Sequence, residues 1–275
     1  MSTQDEFNSP AIESAFGSFT ASTSLSLGNV ARRLALSSSL PLFLLAWQLV
    51  SSLGVVNPRL FPSPVGVAKA LAEEAVTGVL WSDLAMSVLR VVVGYVAGAA
   101  FGVAVGVLTA RVSLAARWLV PLFQLLRPIP PIALVPVVLF WFGLSELGKF
   151  VLVAWGVFFA VWLAAHLGVS RCDPLLLRAA SSMGAKGRIL LSRVVLPGAM
   201  PAIVIGLRTA VGISFYTLVA AELGGTFAGV AYRVDIAHQN MQTGAMFGGL
   251  VVLGVISAAA DTAFAAASRR LVFWS

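Results

Sequence analysis

The sequence predicts an all-α, polytopic membrane protein with about six transmembrane helices, and three observations support this fold class. Of the 275 residues, 59% are hydrophobic, and the mean hydropathy is +0.95. Only 11% are Asp, Glu, Lys or Arg, whereas a soluble domain carries about 25% charged residues. The apolar residues form continuous runs without the alternation of lipid-facing barrel strands. A soluble enzyme, a disordered chain and a disulfide scaffold are therefore disfavoured, and the single cysteine, Cys172, allows no internal disulfide.

Residues 1–30 are expected to form a flexible cytoplasmic tail, followed by a transmembrane domain that covers residues 31–275. The tail is rich in Ser and Thr, and no Lys or Arg occurs before Arg32. A secretory signal needs a basic start followed directly by an apolar stretch, and this segment has neither.

Six apolar runs reach the length of about 20 residues that a helix needs to cross the hydrocarbon core. Pro41 is expected to kink the first run, and Pro128, Pro130, Pro131 and Pro136 interrupt the third. Neighbouring helices can satisfy the backbone groups that such prolines free. The approximate bounds of the predicted spans are Leu34–Val56, Leu84–Ala110, Trp118–Phe142, Lys149–Val169, Ala202–Leu223 and Phe247–Ala267.

Two connections of these spans carry recognisable patterns. In residues 57–83, Pro64 can occupy a first helical position, and Val67 and Leu71 share a helical stripe. This pattern predicts a short amphipathic helix in the outer interface. A Gly-rich polar loop is expected over residues 224–244.

The basic residues predict the orientation in the membrane. Of the 18 Lys and Arg residues, 11 lie on the side of the tail, 4 lie on the other side and 3 lie within or near spans. Because positive charge marks cytoplasmic loops, both termini and the loop at 170–200 are predicted to be cytoplasmic. This bias also explains most of the net charge of +7 without a nucleic-acid partner.

A glycine ladder lies in the second predicted span, where Gly94, Gly98, Gly102 and Gly106 recur at every fourth residue. These glycines share one helix face and allow another backbone to approach closely. Tight helix packing is the favoured interpretation, and lining a path through the membrane is the alternative.

The segment from Gly143 to Phe150 matches a phosphate-binding loop except at its last position, which requires Ser or Thr. It also joins two predicted spans on the outer face, where Lys149 is expected at the surface. We therefore reject it as a nucleotide site and expect no ATP hydrolysis in this chain.

The polar segment at 171–200 predicts two short helices. Asp173 can cap the first helix, Gly184 can end it in a left-handed conformation, and Pro197 is expected to terminate the second, at about Lys186–Val195. Exposed apolar residues with a basic rim suit either a groove on a cytosolic partner or an anionic lipid surface. The apolar anchors are Leu175, Leu176 and Met183, and the rim consists of Arg178, Lys186, Arg188 and Arg193.

Charges inside the membrane are functional candidates because they are costly there. Arg127 lies beside Pro128 and Pro130 in the interrupted span, so it can face an aqueous path and attract an anion, or it can pair with a carboxylate such as Glu222. Arg90 and Arg208 are expected near span ends, where they can snorkel. No metal-ligand spacing and no catalytic triad emerges, since the two histidines are isolated from other ligands.

The segment Ala179-Ala180-x-x-x-Gly184-Ala185, followed by Leu196-Pro197, resembles the signature loop of ABC importer permeases. Leu126-Arg127-Pro128-Ile129-Pro130 and Trp141-Phe142-Gly143 resemble the nitrate, sulfonate and taurine branch of that family. The likeness covers about residues 34–272. One departure is Arg178, which stands where the family usually has an acidic residue.

The resemblance implies a type I ABC importer fold and a homodimer in a bacterial-type inner membrane. Two cytosolic ATPase subunits would hold ATP and Mg²⁺, with no cofactor in this chain, and a substrate-binding protein would dock on the outer loops. The implied cargo is an aliphatic sulfonate or taurine, with nitrate, bicarbonate or another small solute as alternatives, and a non-transporting scaffold as a further one. The ATPase-coupling residues would be Arg178, Ala179, Ala180, Met183, Gly184, Ala185, Lys186, Arg188, Leu196 and Pro197. The translocation path would include Arg127, Pro128, Pro130 and Glu222.

Overall fold

A computed structural model describes residues 27–53, 57 and 60–271, and these residues form helices and their connections without a strand. The chain divides into two compact units, one up to Pro64 and one from Val65 onward. The α-helices are α1 Leu27–Ser52, α2 Pro64–Val76, α3 Val79–Arg111, α4 Ser113–Leu126, α5 Val135–Phe142, α6 Glu146–Ser170, α7 Pro174–Ser182, α8 Gly187–Leu190, α9 Leu196–Leu223, α10 Val230–Gln239 and α11 Thr243–Leu271.

The first unit consists of α1 and the chain that follows it. The indole nitrogen of Trp47 donates to the carbonyl oxygen of Pro62 at 3.0 Å, and its ring lies against Phe43 and Phe61. Pro41 lies inside the helix, as predicted. Helix α1 begins at Leu27, within the predicted tail, whose residues 1–26 lie outside the described residues.

Fewer spans are found over the described residues than the six predicted. Four helical stretches are long and apolar enough to cross a bilayer, and a bent pair makes five if it counts as one span. The described apolar part of the first predicted span, Ser39–Ser52, is shorter than a crossing requires. The four stretches are Val79–Arg111, Glu146–Ser170, Gly187–Leu223 and Thr243–Arg269.

The bent pair is the third predicted span. Helix α4 and the segment Pro131–Phe142 meet at an angle of 93°, and the second of these begins with the 3₁₀ turn Pro131–Leu134 before α5. Pro128, Pro130 and Pro131 have no N–H to donate, so the helix ends here, as the proline cluster predicted.

Helices α3 and α6 pack in parallel along the glycine ladder. A Cβ at Gly98 would lie 2.5 Å from the carbonyl oxygen of Ala154, so glycine is what permits this backbone approach. The residues of α6 that face Gly94, Gly98, Gly102 and Gly106 include Val153, Ala154, Phe158 and Ala165, respectively.

Helix α9 packs antiparallel on another side of α6. Gly156 of α6 faces Thr217, and Gly206 of α9 faces Ala164. The core between α3, α6 and α9 is apolar and includes the fully buried Val157 and Leu218. Because α3 and α6 begin where α9 ends, polar residues near these termini meet at one end of the bundle.

Two expectations about the connections were wrong. Residues 224–244 contain the helix α10 in place of a continuous loop. Pro197 terminates no helix, because it lies in the first turn of α9, where its missing N–H needs no partner. The π-helical turn Leu191–Val195 joins α8 to α9 without a break.

Candidate functional site

Arg90 is the centre of a buried ion network at the end of the bundle where α3 and α6 begin. Its side chain is 1% exposed. The Nε and Nη2 atoms donate to the two carboxylate oxygens of Glu146, each at 2.7 Å. Nη1 donates to Glu222 at 2.8 Å and to the carbonyl oxygen of Ala228 at 2.6 Å, and Nη2 also reaches the hydroxyl of Thr226 at 3.0 Å. The prediction that Arg90 snorkels to the interface was wrong, because the buried Glu222 and the partly exposed Glu146 balance its charge inside the protein.

Glu222 is the second fully buried member of this network. Its Oε1 atom accepts from Arg90 and from the Ser87 hydroxyl at 2.7 Å, and its Oε2 atom accepts from the backbone N–H of Ala231 at 2.8 Å. The structure therefore places Glu222 in a packed junction and not against the cavity described below. Both of its carboxylate oxygens are engaged, so the predicted pairing with Arg127 does not form.

Lys149 is also buried, contrary to the predicted surface position. Its ammonium donates to Glu146 at 2.8 Å and to the carbonyl oxygen of Leu144 at 3.1 Å. Arg90 and Lys149 balance the charges of Glu146 and Glu222, which satisfies the requirement that buried ions be paired.

The N-terminus of α10 is held by the same junction. The first backbone N–H groups of α10 and its cap have no partners within the helix. Gly229 donates to Asp83 at 2.8 Å, and Val230 donates to the Ser87 hydroxyl at 2.9 Å. Asp83 also pairs with Arg233 at 2.8 Å. Nearby in α2, burial raises the pKa of Glu74, an effect that the charge of Arg233 opposes.

A cavity of about 460 Å³ lies between α6, α9 and the chain after α4. Arg127, the residue after α4, lines it, and its exposed guanidinium makes no ion pair or side-chain hydrogen bond with any residue that the structure describes. Pro128 and Pro130 lie in the bend but not in the cavity wall. The lining residues are Arg127, Ile129, Pro131, Trp155, Gly156, Phe159, Ala160, Leu163, Ala164, Leu167, Ile205, Gly206, Thr209, Ile213 and Tyr216.

A polar stripe on α9 adjoins this cavity and was missed in the sequence. Thr209 and Tyr216 line the cavity, and Gly212 between them faces open space. Because these residues are three and four positions apart, they lie on one helix face. Two polar side chains at helical spacing inside an apolar helix were the sequence signal that could have identified this stripe. Arg208, beside the stripe, forms an exposed ion pair with Asp261 of α11 at 2.9 Å.

The polar segment at 171–200, which we call the coupling segment after its predicted role, lies at the end of the bundle opposite the Arg90 network. The Asp173 carboxylate accepts from the backbone N–H of Leu175 at 2.8 Å, which confirms the predicted cap of α7. Gly184 adopts a φ of 87°, and its N–H donates to the carbonyl of Ser181 while that of Ala185 donates to Ala180. These two bonds form a Schellman motif, as the left-handed glycine predicted.

The surface of the coupling segment is apolar with basic neighbours. Leu175 and Leu176 are exposed, and Met183 is 82% exposed. Ala180 is buried and packs inward, so it offers no docking surface. The exposed residues of the segment include Arg178, Ala179, Gly184, Lys186, Arg188 and Arg193, whereas Ala185, Leu196 and Pro197 are half-buried.

Residues 98–273 match the family described as the binding-protein-dependent transport system inner membrane component. The chain belongs to this permease family. The match confirms the resemblance and includes the coupling segment, the cavity and most of the glycine ladder.

Related permeases align with most of this chain. The taurine transport system permease protein TauC of Escherichia coli strain K12 is 33% identical over 251 residues, which cover 89% of this chain and 91% of TauC. SsuC of Bacillus subtilis strain 168, named as an aliphatic sulfonates transport permease, is 34% identical and 86% of each chain is covered. SsuC of E. coli, named in the same way, is 33% identical, with 83% of this chain and 87% of SsuC covered.

A solved structure supports the fold of this permease. A crystal structure of an amino acid ABC transporter with histidines has a TM-score of 0.58 and 17% identity, and the match covers 74% of this chain and 96% of that chain. At this identity, the likeness shows the fold alone.

Proposed function

We propose that this permease is the membrane subunit of an ATP-driven importer for a small organic sulfonate, either an aliphatic sulfonate or taurine. The names of TauC and SsuC, which align over most of the chain, support this cargo class. The single structural observation that carries the proposal is the guanidinium of Arg127 at the wall of the cavity, which has no ion pair within the described part of the chain.

The two intramembrane arginines have different electrostatic surroundings. Arg90 is neutralised by Glu146 and Glu222, so its charge is not available to a passing ion. Because Glu222 pairs with Arg90, it does not pair with Arg127, and the Arg127 guanidinium keeps its positive charge. A cation without a counter-ion attracts an anion, and a guanidinium matches the oxygens of an oxyanion.

The polar stripe on α9 supports a homodimer around the path. Thr209, Gly212 and Tyr216 are exposed on the isolated chain, in the middle of an apolar span. The Thr209 hydroxyl donates within its own helix to the carbonyl oxygen of Ile205 at 3.0 Å, whereas lipid tails offer no hydrogen-bond partner to the Tyr216 hydroxyl. A second copy that closes over this face would enclose the stripe and the cavity in a shared aqueous path.

The coupling segment supports a cytosolic ATPase partner. Its capped helix presents Leu175, Leu176 and Met183 with a basic rim, which suits a groove with an apolar floor and an acidic edge. ATP binding in two such subunits would draw the segments together and expose the path to each side in turn. The 11 basic residues at this side support a cytoplasmic location for it and for both termini.

Reconstitution with the cognate ATPase and binding protein in liposomes tests this function. We expect ATP-dependent uptake of radiolabelled taurine or hexanesulfonate. Arg127→Gln should lower that uptake by about tenfold or more, the effect of losing one charge-assisted contact.

Arg117→Gln is the matched control, because Arg117 lies exposed on α4 but not at the cavity. We expect its uptake to stay close to that of the parent. Absence of uptake in a correctly assembled complex would contradict the transport function. Equal uptake by Arg127→Gln and parent would contradict the role of Arg127.

A further inference from the structure

The cavity has one positive end and long apolar walls. On α6 its lining runs from Trp155 to Leu167, a separation of twelve positions that corresponds to about 18 Å along a helix axis. On α9 it runs from Ile205 to Tyr216. Among the described lining residues, Arg127 carries the charge, and Trp155, Thr209 and Tyr216 carry the other polar side-chain atoms. The remaining wall is aliphatic or aromatic carbon and glycine backbone.

We infer that this cavity is a selectivity site within the membrane for a monoanion with an apolar tail, and that it disfavours a zwitterion. The inference rests on the proposed function and sharpens its cargo. The anionic head would lie against the Arg127 guanidinium, and the tail would extend along the walls of α6 and α9. An alkanesulfonate has this form, whereas taurine carries an ammonium group two methylenes from its sulfonate.

The ammonium of taurine would find no carboxylate in the described lining. An ammonium that leaves water without an anionic partner loses hydration free energy that the hydroxyls of Thr209 and Tyr216 replace only in part, and here it would also lie close to the positive charge of Arg127. Glu222 cannot serve as the partner because both of its oxygens are engaged in the junction.

The aromatic rings of the wall compensate only in part for this missing anion. Trp155 and Phe159 pack edge-to-face, with ring centroids 5.0 Å apart, and Phe159 also makes edge-to-face contacts with Phe123 and Phe158. These contacts with other rings reduce the area of Trp155 and Phe159 that is open to a cation–π contact.

The wall also holds a hydrogen-bond donor without an acceptor. The indole nitrogen of Trp155 is buried and has no hydrogen-bond partner among the described residues. An unsatisfied buried donor costs free energy, and a rotation of the indole toward the cavity would let this N–H donate to the oxygens of a bound oxyanion. Trp155→Phe would keep an aromatic ring and remove the donor.

Direct binding to the transporter complex in nanodiscs, without binding protein and without ATP, tests this inference. The probes are methanesulfonate, propanesulfonate, hexanesulfonate and taurine, followed by the change in tryptophan fluorescence or by thermal shift. We expect the Kd to fall with each added methylene, by up to roughly fourfold where the methylene is fully buried. Taurine should bind about tenfold or more weakly than hexanesulfonate, since its ammonium is left unpaired.

Three variants locate the site. Arg127→Gln should raise the Kd of hexanesulfonate by about tenfold or more, Trp155→Phe should raise it by a smaller factor, and Arg117→Gln should leave it unchanged. Partition of hexanesulfonate into lipid would be insensitive to all three substitutions.

Equal or tighter binding of taurine would overturn the inference. So would hexanesulfonate binding that does not depend on Arg127, or a lack of binding by any probe in a complex that transports. These results leave the proposed function standing, whereas that function fails if reconstituted complexes take up no sulfonate at all.

Discussion

The surroundings of Arg90 and Arg127 illustrate two ways in which an arginine can exist inside a membrane protein. Arg90 donates to two carboxylates, a hydroxyl and a carbonyl oxygen in a junction of α3, α6, α9 and the chain before α10. Arg127 lies at a helix break beside a cavity and has no ion pair among the described residues. The first arrangement holds helices together, and the second leaves a positive charge available to a ligand. Substitutions at these two sites should therefore act on different properties, stability at Arg90 and transport at Arg127.

The largest effect on stability is expected for Arg90→Ala. Removing the arginine leaves Glu222 buried without its counter-ion, which typically costs about 3–5 kcal/mol. Melting of the purified permease in nanodiscs, followed by tryptophan fluorescence, measures the loss. Adding Glu222→Gln should recover part of it, because the unpaired charge is then gone and the two effects are not additive. A melting temperature close to that of the parent would show that the junction contributes little to the stability of the fold.

Gly229→Ala should destabilise the same junction by steric means. Gly229 has a φ of 130°, and a Cβ there would overlap the Glu222 carboxylate. A residue held in such a backbone conformation costs about 1–3 kcal/mol, to which displacement of the carboxylate adds. Gly254→Ala in α11 is the matched control because nothing lies within 4 Å of its added Cβ. Equal melting of the two variants would argue against a tightly packed junction.

The smallest effect on stability is expected for Arg127→Gln. Because its guanidinium makes no ion pair with the described residues, the substitution should change the free energy of unfolding by no more than about 0.5 kcal/mol, as for ordinary surface positions. The same melting measurement checks this. A loss as large as that of Arg90→Ala would remove the distinction between the two arginines.

Features set by local periodicity and by special residues were predictable. The four-residue spacing of Gly94 to Gly106 predicts a close contact with another helix but does not identify that helix. In the structure the partner is α6. Gly184 and Asp173 predict the ends of α7 because caps depend on neighbouring backbone groups. The proline cluster after Arg127 likewise predicts the bend.

Features that depend on distant residues were not predictable. Arg90 and Glu222 are separated by 132 positions, and neither belongs to a motif that identifies the other. The helix α10 follows a Gly-rich stretch, and part of what holds its N-terminus is Asp83 and Ser87 on another helix. The prediction that Pro197 terminates a helix was wrong because the sequence alone does not distinguish a proline in the first turn of a helix from a proline that follows the last turn.

The sequence by itself determined that the chain is a helical membrane protein, where four of its membrane-spanning helices lie, and how the coupling segment is capped. These properties follow from composition and from interactions within a few residues, so they are encoded locally. Only the tertiary structure decided which intramembrane charge is neutralised. The energy of a buried ion depends on the counter-ions that surround it in space. Here the packing of three helices pairs Glu222 with Arg90, and Arg127 has no ion pair among the residues that the structure describes.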